Sequence, residues 1–157
     1  MSDAAIRKFI EEKSDWIEKH MRKMQKRREE YEAQPEDVLT VEELRELARK
    51  AAEYIPQKAA YYASLIGVSY GRITIRNQRS RWGSCSSRGN LNFNCLLMLA
   101  PPEIADYVIV HELCHRREMN HSPLFWQEVE KILPDYKRRR KWMKDNGERI
   151  MRRMLAD

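Results

Sequence analysis

The segment HELCHRREMNH, residues 111–121, contains three of the chain's four histidines and restricts the fold more than any other stretch. His111 and His115 are four residues apart, so their imidazoles share one face only if the segment is helical. His121 follows six residues later, and the chain must turn after the helix if the third imidazole is to meet the other two. A fold that meets both conditions places three nitrogen ligands around one metal ion.

Glu112 directly follows the first histidine, and its carboxylate flanks the same face of the predicted helix. The pattern His111-Glu112-x-x-His115 is the zincin motif, in which the histidines bind Zn²⁺ and the glutamate acts as a base. Zinc lowers the pKa of a water molecule, and the carboxylate takes its proton as the water attacks a peptide amide. Three ligands, His111, His115 and His121, leave a fourth position open, as in catalytic zinc sites.

The turn that brings His121 back needs an explanation, because the related motif HExxHxxGxxH has glycine where this chain has Glu118. We expect the helix to end near Met119 and Asn120 to adopt the left-handed conformation that ends many helices. Ser122-Pro123 is typical of a helix start and predicts the next helix.

An alternative third ligand stays open at this point. If His121 were only a surface residue of a loop, Glu128 or Glu130 on the next helix would complete the metal site. Cys114 is expected to point about 100° away from the ligand face and to pack in the core.

The periodicity of apolar residues predicts an α+β fold around this segment. Residues 3–33 and 40–67 have helical spacing, the second with a capping box at Thr40 and an interruption at Pro56. Residues 72–76 and 91–95 alternate like strands, which suggests a small, mostly antiparallel sheet of three strands. We predict a zincin-like fold with an active-site helix and flanking helices.

The domain organisation follows from the same pattern. Residues 1–35 are expected to form an amphipathic helical arm, either packed on its own domain or binding a partner. Residues 36–157 are expected to form one metallopeptidase domain.

The composition limits the location and the partners. No segment approaches the length of a membrane span or of a secretory signal. Three cysteines without a CxxC pair fit a reducing compartment, so we expect a cytoplasmic protein with no membrane contact. The net charge of +6 permits nucleic acid as a partner without establishing it, and the oligomeric state is not indicated.

Residues 79–136, RSRWGSCSSRGNLNFNCLLMLAPPEIADYVIVHELCHRREMNHSPLFWQEVEKILPDY, resemble the YgjP-like family of zinc metallopeptidases, which is related to SprT-type proteins. The resemblance extends over about residues 40–145. It implies zinc ligands at His111, His115 and His121 and a catalytic Glu112. Many members have a further β-rich N-terminal region, so the chain is expected to be either a short member or an excerpt.

The resemblance also suggests where a peptide substrate binds. In zincins an edge strand before the active-site helix pairs with the substrate, and residues 91–97 are the expected counterpart. Asn92 and Asn94 then either contact substrate or show ordinary strand polarity. Arg79 and Arg81 either bind a substrate carboxylate or a developing oxyanion, or are exposed strand charges.

Two functions are therefore predicted. The first is a zinc-dependent peptidase with a peptide or protein substrate. The second is a nucleic-acid-associated protein of the SprT type, which either cuts DNA-bound proteins or uses its zinc site only for structure.

Overall fold

The computed structural model describes residues 38–154 and, before them, only Ala4, Lys19 and Arg22. The chain divides into two compact units, Met1–Val38 and Leu39–Asp157. The predicted helix of residues 3–33 and the predicted boundary after residue 35 lie outside the continuously described part. The second unit is described below.

The first described helix, α1 (Val41–Ile66), has the predicted ends. Thr40 accepts a hydrogen bond from the Glu43 backbone and Glu43 reaches back to Thr40, which completes the capping box. Gly67 ends the helix in the left-handed conformation, with φ of 82°, which glycine adopts without steric cost. The expected interruption at Pro56 is wrong, since the helix continues through it. Burial of the flanking apolar face offsets the one missing backbone hydrogen bond.

Three short strands, β1 (Ile73–Arg76), β2 (Gly83–Cys85) and β3 (Leu91–Asn94), form one sheet in the order β1-β3-β2. β2 and β3 pair antiparallel, while β1 and β3 pair parallel. The sheet is therefore mixed, where mostly antiparallel pairing was expected. The turn of residues 86–90 joins β2 to β3 as a hairpin, and residues 77–82 carry the chain from one edge of the sheet to the other.

The expectation that residues 91–97 form the substrate-facing edge strand is wrong. β3 is the central strand, and Cys95–Leu99 form a 3₁₀ helix. The edge strand next to the histidine-bearing helix is β2. Alternation in the sequence correctly placed Leu91 and Phe93 in the core, but alternation carries no information about which strand lies at an edge.

Three further helices, α2 (Pro102–Cys114), α3 (Pro123–Ile132) and α4 (Tyr136–Met151), complete the described unit. Both α2 and α3 begin with proline in the first turn, as the sequence predicts. α2 is the central helix, because ten of its thirteen residues are buried. None of the described helices combines the length and the hydrophobicity needed to cross a bilayer.

A buried carboxylate joins α2 to α1. Asp106 accepts hydrogen bonds from the hydroxyl groups of Tyr54, at 2.6 Å, and Tyr62, at 2.8 Å. Lys58 Nζ lies 3.8 Å from the same carboxylate. These contacts hold the N-terminal half of α2 in place, and the histidines lie on its C-terminal end.

Candidate metal centre

The end of α2 carries the first two predicted ligands. His111 lies in the last turn of the helix, and His115 is the first residue after it, still with helical dihedral angles of −65° and −15°. Their ring centroids are 5.1 Å apart. The spacing of four residues therefore places both imidazoles on one face, as predicted from the helix period.

The turn after α2 differs from the predicted one. The helix ends at Cys114 rather than near Met119, and tight turns follow, with Glu118 N donating to Cys114 O at 3.0 Å. The left-handed conformation expected at Asn120 is wrong, because no described residue other than glycine has a positive φ. An earlier helix end gives the chain enough length to return through ordinary dihedral angles, so neither glycine nor Asn120 has to supply a special conformation.

The returning chain brings His121 to the other two histidines. The Nε2 atoms of His121 and His111 are 3.1 Å apart, and one ligand nitrogen from each of the three histidines lies within 4.8 Å of the others. Ser122 accepts a hydrogen bond from Phe125 N and caps α3, so the residue after His121 is anchored to a helix. His121 is exposed, which leaves the site open toward solvent.

The protonation of His111 and His115 suits a metal. Burial, with smaller contributions from His115, His121 and Arg140, lowers the pKa of His111 to about 3. Burial also lowers the pKa of His115. His115 Nδ1 lies 3.0 Å from Glu118 O, and a bond to a carbonyl requires the proton on Nδ1. This leaves the Nε2 lone pair of a neutral imidazole for the metal.

The distance between His111 and His121 also fits a tetrahedral ion. Zinc–nitrogen bonds of about 2.0–2.1 Å place two ligand nitrogens roughly 3.3 Å apart. The observed 3.1 Å between His111 and His121 is close to that spacing. The three ligand nitrogens, within 4.8 Å of one another, can therefore hold a metal ion once the side chains draw closer together.

Aromatic rings support the histidines from α3. Phe125 stacks on His115 with centroids 4.5 Å apart, and Trp126 stacks on His121 at 5.9 Å. Trp126 in turn stacks on Tyr136, with the guanidinium of Arg140 4.5 Å from the Trp126 ring centroid. These contacts restrict the rotation of the imidazoles and shield one side of the site from water.

Glu112 lies on α2 and is only 7% exposed. Burial raises the pKa of its carboxyl group to about 7, while the positive charge of Arg81 acts in the opposite direction. The close neighbour of this side chain is Gly83 of β2. A Cβ atom at Gly83 would lie 3.1 Å from Glu112 Cγ and 3.3 Å from Glu112 Oε2. The sequence analysis missed Gly83, because only the packing of β2 on α2 reveals its role.

The alternative third ligands lie elsewhere. Glu128 forms ion pairs with Lys131, at 3.1 Å, and Arg117, at 3.7 Å. Glu130 is exposed, and neither carboxylate belongs to the only metal-ligating group found among residues 38–154, the three histidines. Cys114 is fully buried, and desolvation raises the pKa of its thiol to about 12.

The two asparagines of β3 lie on the sheet face opposite the core, but in different surroundings. Asn94 is 1% exposed. Its amide nitrogen donates to Gln78 O at 2.5 Å and Arg81 O at 2.9 Å, and its Oδ1 accepts from Leu96 N. Asn94 therefore holds the 77–81 loop and is not accessible to substrate. The expected contact of Asn94 with substrate is wrong. Asn92 is half-buried and remains accessible from the loop side.

Arg79 and Arg81 line a cavity of about 670 Å³ on that same face, together with Asn92. Arg76 and Ser84 also line it, and neither was expected in the site. Arg76 Nε donates to Asn92 Oδ1 at 3.2 Å, and Asn92 Nδ2 donates to Ser84 Oγ at 3.2 Å. Three of the four predicted substrate residues thus line one cavity, and no histidine is among its lining residues.

Comparisons with known proteins identify the family and the fold. The YgjP-like metallopeptidase domain matches residues 40–146. Two solved structures share the fold. The metallopeptidase zymogen of Pyrococcus abyssi abylysin is 22% identical with a TM-score of 0.52, and covers 58% of this chain and 93% of its own. The metallopeptidase zymogen of Methanocaldococcus jannaschii jannalysin is 18% identical with a TM-score of 0.52, and covers 59% and 95%.

No curated protein sequence matches the chain. The family match nevertheless spans more than two thirds of the 157 residues and includes the three histidines and the glutamate. The resemblance expected from the sequence is confirmed, and the chain belongs to the YgjP-like family, whose metallopeptidase domain it carries.

Proposed function

We propose that this metallopeptidase uses zinc, held by His111, His115 and His121, and that Glu112 is its general base. The observation that carries the proposal is the convergence of three imidazoles at one open site, with the buried Glu112 carboxylate on the helix that carries His111. Three protein ligands with an open position are typical of catalytic zinc.

Bound zinc supplies Lewis acidity, which polarises a peptide carbonyl and makes a water molecule more acidic. Glu112 takes the proton of the attacking water on its carboxylate and passes it to the nitrogen of the leaving amine. A pKa of about 7 suits this cycle, because a group that titrates near neutral pH both accepts and releases a proton readily. Gly83 keeps the carboxylate close to β2.

The peptide backbone is proposed to bind along the free edge of β2. Trp82 O accepts from Asn94 N and Ser86 N donates to Asn90 O, so these residues point their backbone groups at β3. The N–H and C=O groups of Gly83 and Cys85 alternate with them and point away from β3. A substrate peptide can therefore add to β2 as a further strand beside Glu112.

Two substitutions test the assignment of the metal and the base. Glu112→Gln is expected to lower hydrolysis of a peptide mixture by about 10²–10⁴-fold while zinc content stays unchanged. His121→Ala is expected to lose zinc, while Glu128→Ala and Glu130→Ala retain it. His20→Ala, which changes the one histidine outside residues 111–121, serves as the matched control.

Full zinc retention in His121→Ala would remove His121 from the ligand set. Unchanged hydrolysis by Glu112→Gln would show that Glu112 is not the base.

We also propose that the protein is located in the reducing cytoplasm, since all three of its cysteines are free. Detection of the native protein in a membrane or extracellular fraction would contradict that location.

A further inference from the structure

The cavity beside β2 is lined by several positively charged side chains. Three guanidinium groups, those of Arg76, Arg79 and Arg81, line its 670 Å³. None of the ion pairs found within residues 38–154 involves any of them. Some other arginines of the same unit are paired with carboxylates, as Arg138 is with Glu103 and Asp135. The cavity therefore collects three positive charges, none of which forms an ion pair within the described part of the chain.

The cavity lies beside β2, the strand along which the peptide is proposed to bind. Gly83 faces Glu112 on one side of β2, and the next residue, Ser84, lines the cavity on the other side. Side chains of neighbouring strand residues point to opposite faces of a sheet. A peptide added to the β2 edge would continue that alternation, with one set of side chains toward α2 and the other toward the cavity.

We propose that the cavity is a specificity subsite, which binds acidic side chains at alternate positions of the peptide substrate. This inference rests on the proposed peptidase function. Guanidinium groups bind carboxylates through two parallel hydrogen bonds, and three arginines line this cavity without an ion pair among residues 38–154. The polar groups of Asn92 and Ser84 provide further hydrogen-bonding contacts inside the cavity.

The spacing of the acidic residues gives a direct test. Fluorescent ten-residue peptides with amidated C-termini carry two glutamates either at positions i and i+2 or at i and i+1, so the net charge is equal. Binding is measured with the zinc-loaded Glu112→Gln protein, in which the peptide remains intact. The i, i+2 peptide is expected to bind about fivefold or more tightly than both the i, i+1 peptide and a peptide with glutamine at these positions.

Variants of the cavity then show where the preference arises. The double variant Arg76→Gln, Arg79→Gln is expected to lose the preference for the i, i+2 peptide and to retain its zinc. Arg88→Gln, an exposed arginine of the 86–90 turn that does not line the cavity, is the matched control and retains the preference. Arg81 is left intact, because its charge also acts on Glu112.

Several outcomes would overturn the inference. Equal affinity for the three peptides rejects an acidic subsite. An equal loss of the preference for the i, i+2 peptide in the Arg88 variant and in the Arg76/Arg79 variant shows only a general charge effect. Tight binding restricted to a peptide with a free C-terminal carboxylate assigns the cavity to the chain terminus. Displacement of the acidic peptide by a DNA oligonucleotide, with a salt slope reduced in the double variant, assigns it to nucleic acid. Since binding is measured without hydrolysis, failure here is distinguishable from failure of the proposed peptidase reaction.

Discussion

The contact between Gly83 and Glu112 determines how the proposed base is held. The glycine brings the β2 backbone so close that any side chain there would meet the carboxylate or the backbone oxygen of Asn92. The carboxylate is thereby buried between a strand and its own helix. Burial raises its pKa to about 7, and the close packing of β2 at Gly83 is part of the surroundings that bury it.

Gly83→Ala is expected to lower kcat/KM on a peptide mixture by about tenfold or more, because displacement of a catalytic group by a fraction of an ångström already lowers the rate. The added Cβ would lie 3.1 Å from Asn92 O and from Glu112 Cγ, and the flexible carboxylate would move first. Zinc content, measured in parallel, should not change, because the histidines are not among the neighbours of this Cβ.

Gly147→Ala is the control, since it adds the same methyl group to a helical glycine of α4 whose neighbours are side chains of Met143 and Trp82. Wild-type activity in Gly83→Ala would show that the close approach of β2 has no catalytic role.

At the scale of the elements, α2 is positioned from both ends. Asp106 binds two tyrosines of α1 near its beginning, and the turns after Cys114 and the cap at Ser122 connect its end to α3. Burial, followed by the hydrogen bond to Asp106, raises the pKa of both Tyr54 and Tyr62. The neutral phenols therefore donate to Asp106 throughout the ordinary pH range.

Tyr62→Phe is expected to lower the free energy of unfolding by about 1.5–3 kcal/mol, the range for a hydrogen bond to a charged group. Denaturant titration measures the change. Tyr61→Phe, on an exposed neighbouring ring, is the control and should change stability by less than about 0.5 kcal/mol.

The pH dependence of the same variant has a defined sign. A phenol whose pKa is raised by folding binds more protons in the folded than in the unfolded state above about pH 10, so stability falls as pH rises through that region. Tyr62→Phe should therefore lose stability less steeply above pH 10 than the wild type does. Parallel curves for the two proteins would contradict the coupling between Tyr62 and Asp106.

At the scale of the whole described unit, a metal would link elements that are distant along the chain. The ligands come from the end of α2, the first residue after it, and the residue before the cap of α3. The aromatic rings of α3 extend this link to Tyr136 at the start of α4. Metal binding should therefore stabilise the packing of three helices as well as activate the site.

Removal of zinc with a chelator is expected to lower Tm by about 10 °C. Zinc at about 1,000 times its Kd contributes about 4 kcal/mol, and about 2–4 °C corresponds to each kcal/mol in a domain of this size. Calorimetry with and without chelator measures the shift, which should remain in His20→Ala and be strongly reduced in His121→Ala. Identical Tm values for the loaded and the chelated wild-type protein would contradict a metal that links the helices.

Much of the candidate site could be predicted because its information is local. The spacing of His111, Glu112 and His115 acts through the helix period, and the start of α3 follows from Ser122-Pro123. The route of the chain between His115 and His121 could not be predicted, since several turn geometries satisfy the same end points. Similarly, the alternation of β3 identified Leu91 and Phe93 as core residues, but the position of β3 in the sheet depends on residues that are distant in sequence.

The sequence by itself thus determined the helical histidine pair, the capping of α1, the α+β class and the family, because each depends on residues near one another in the chain. Only the tertiary structure decided that β2 is the edge strand, that Gly83 packs on Glu112, and that Asn94 is buried while Arg76, Arg79 and Arg81 share a cavity. The physical reason is that strand order and close approach result from packing of the whole unit, and no short-range pattern encodes them.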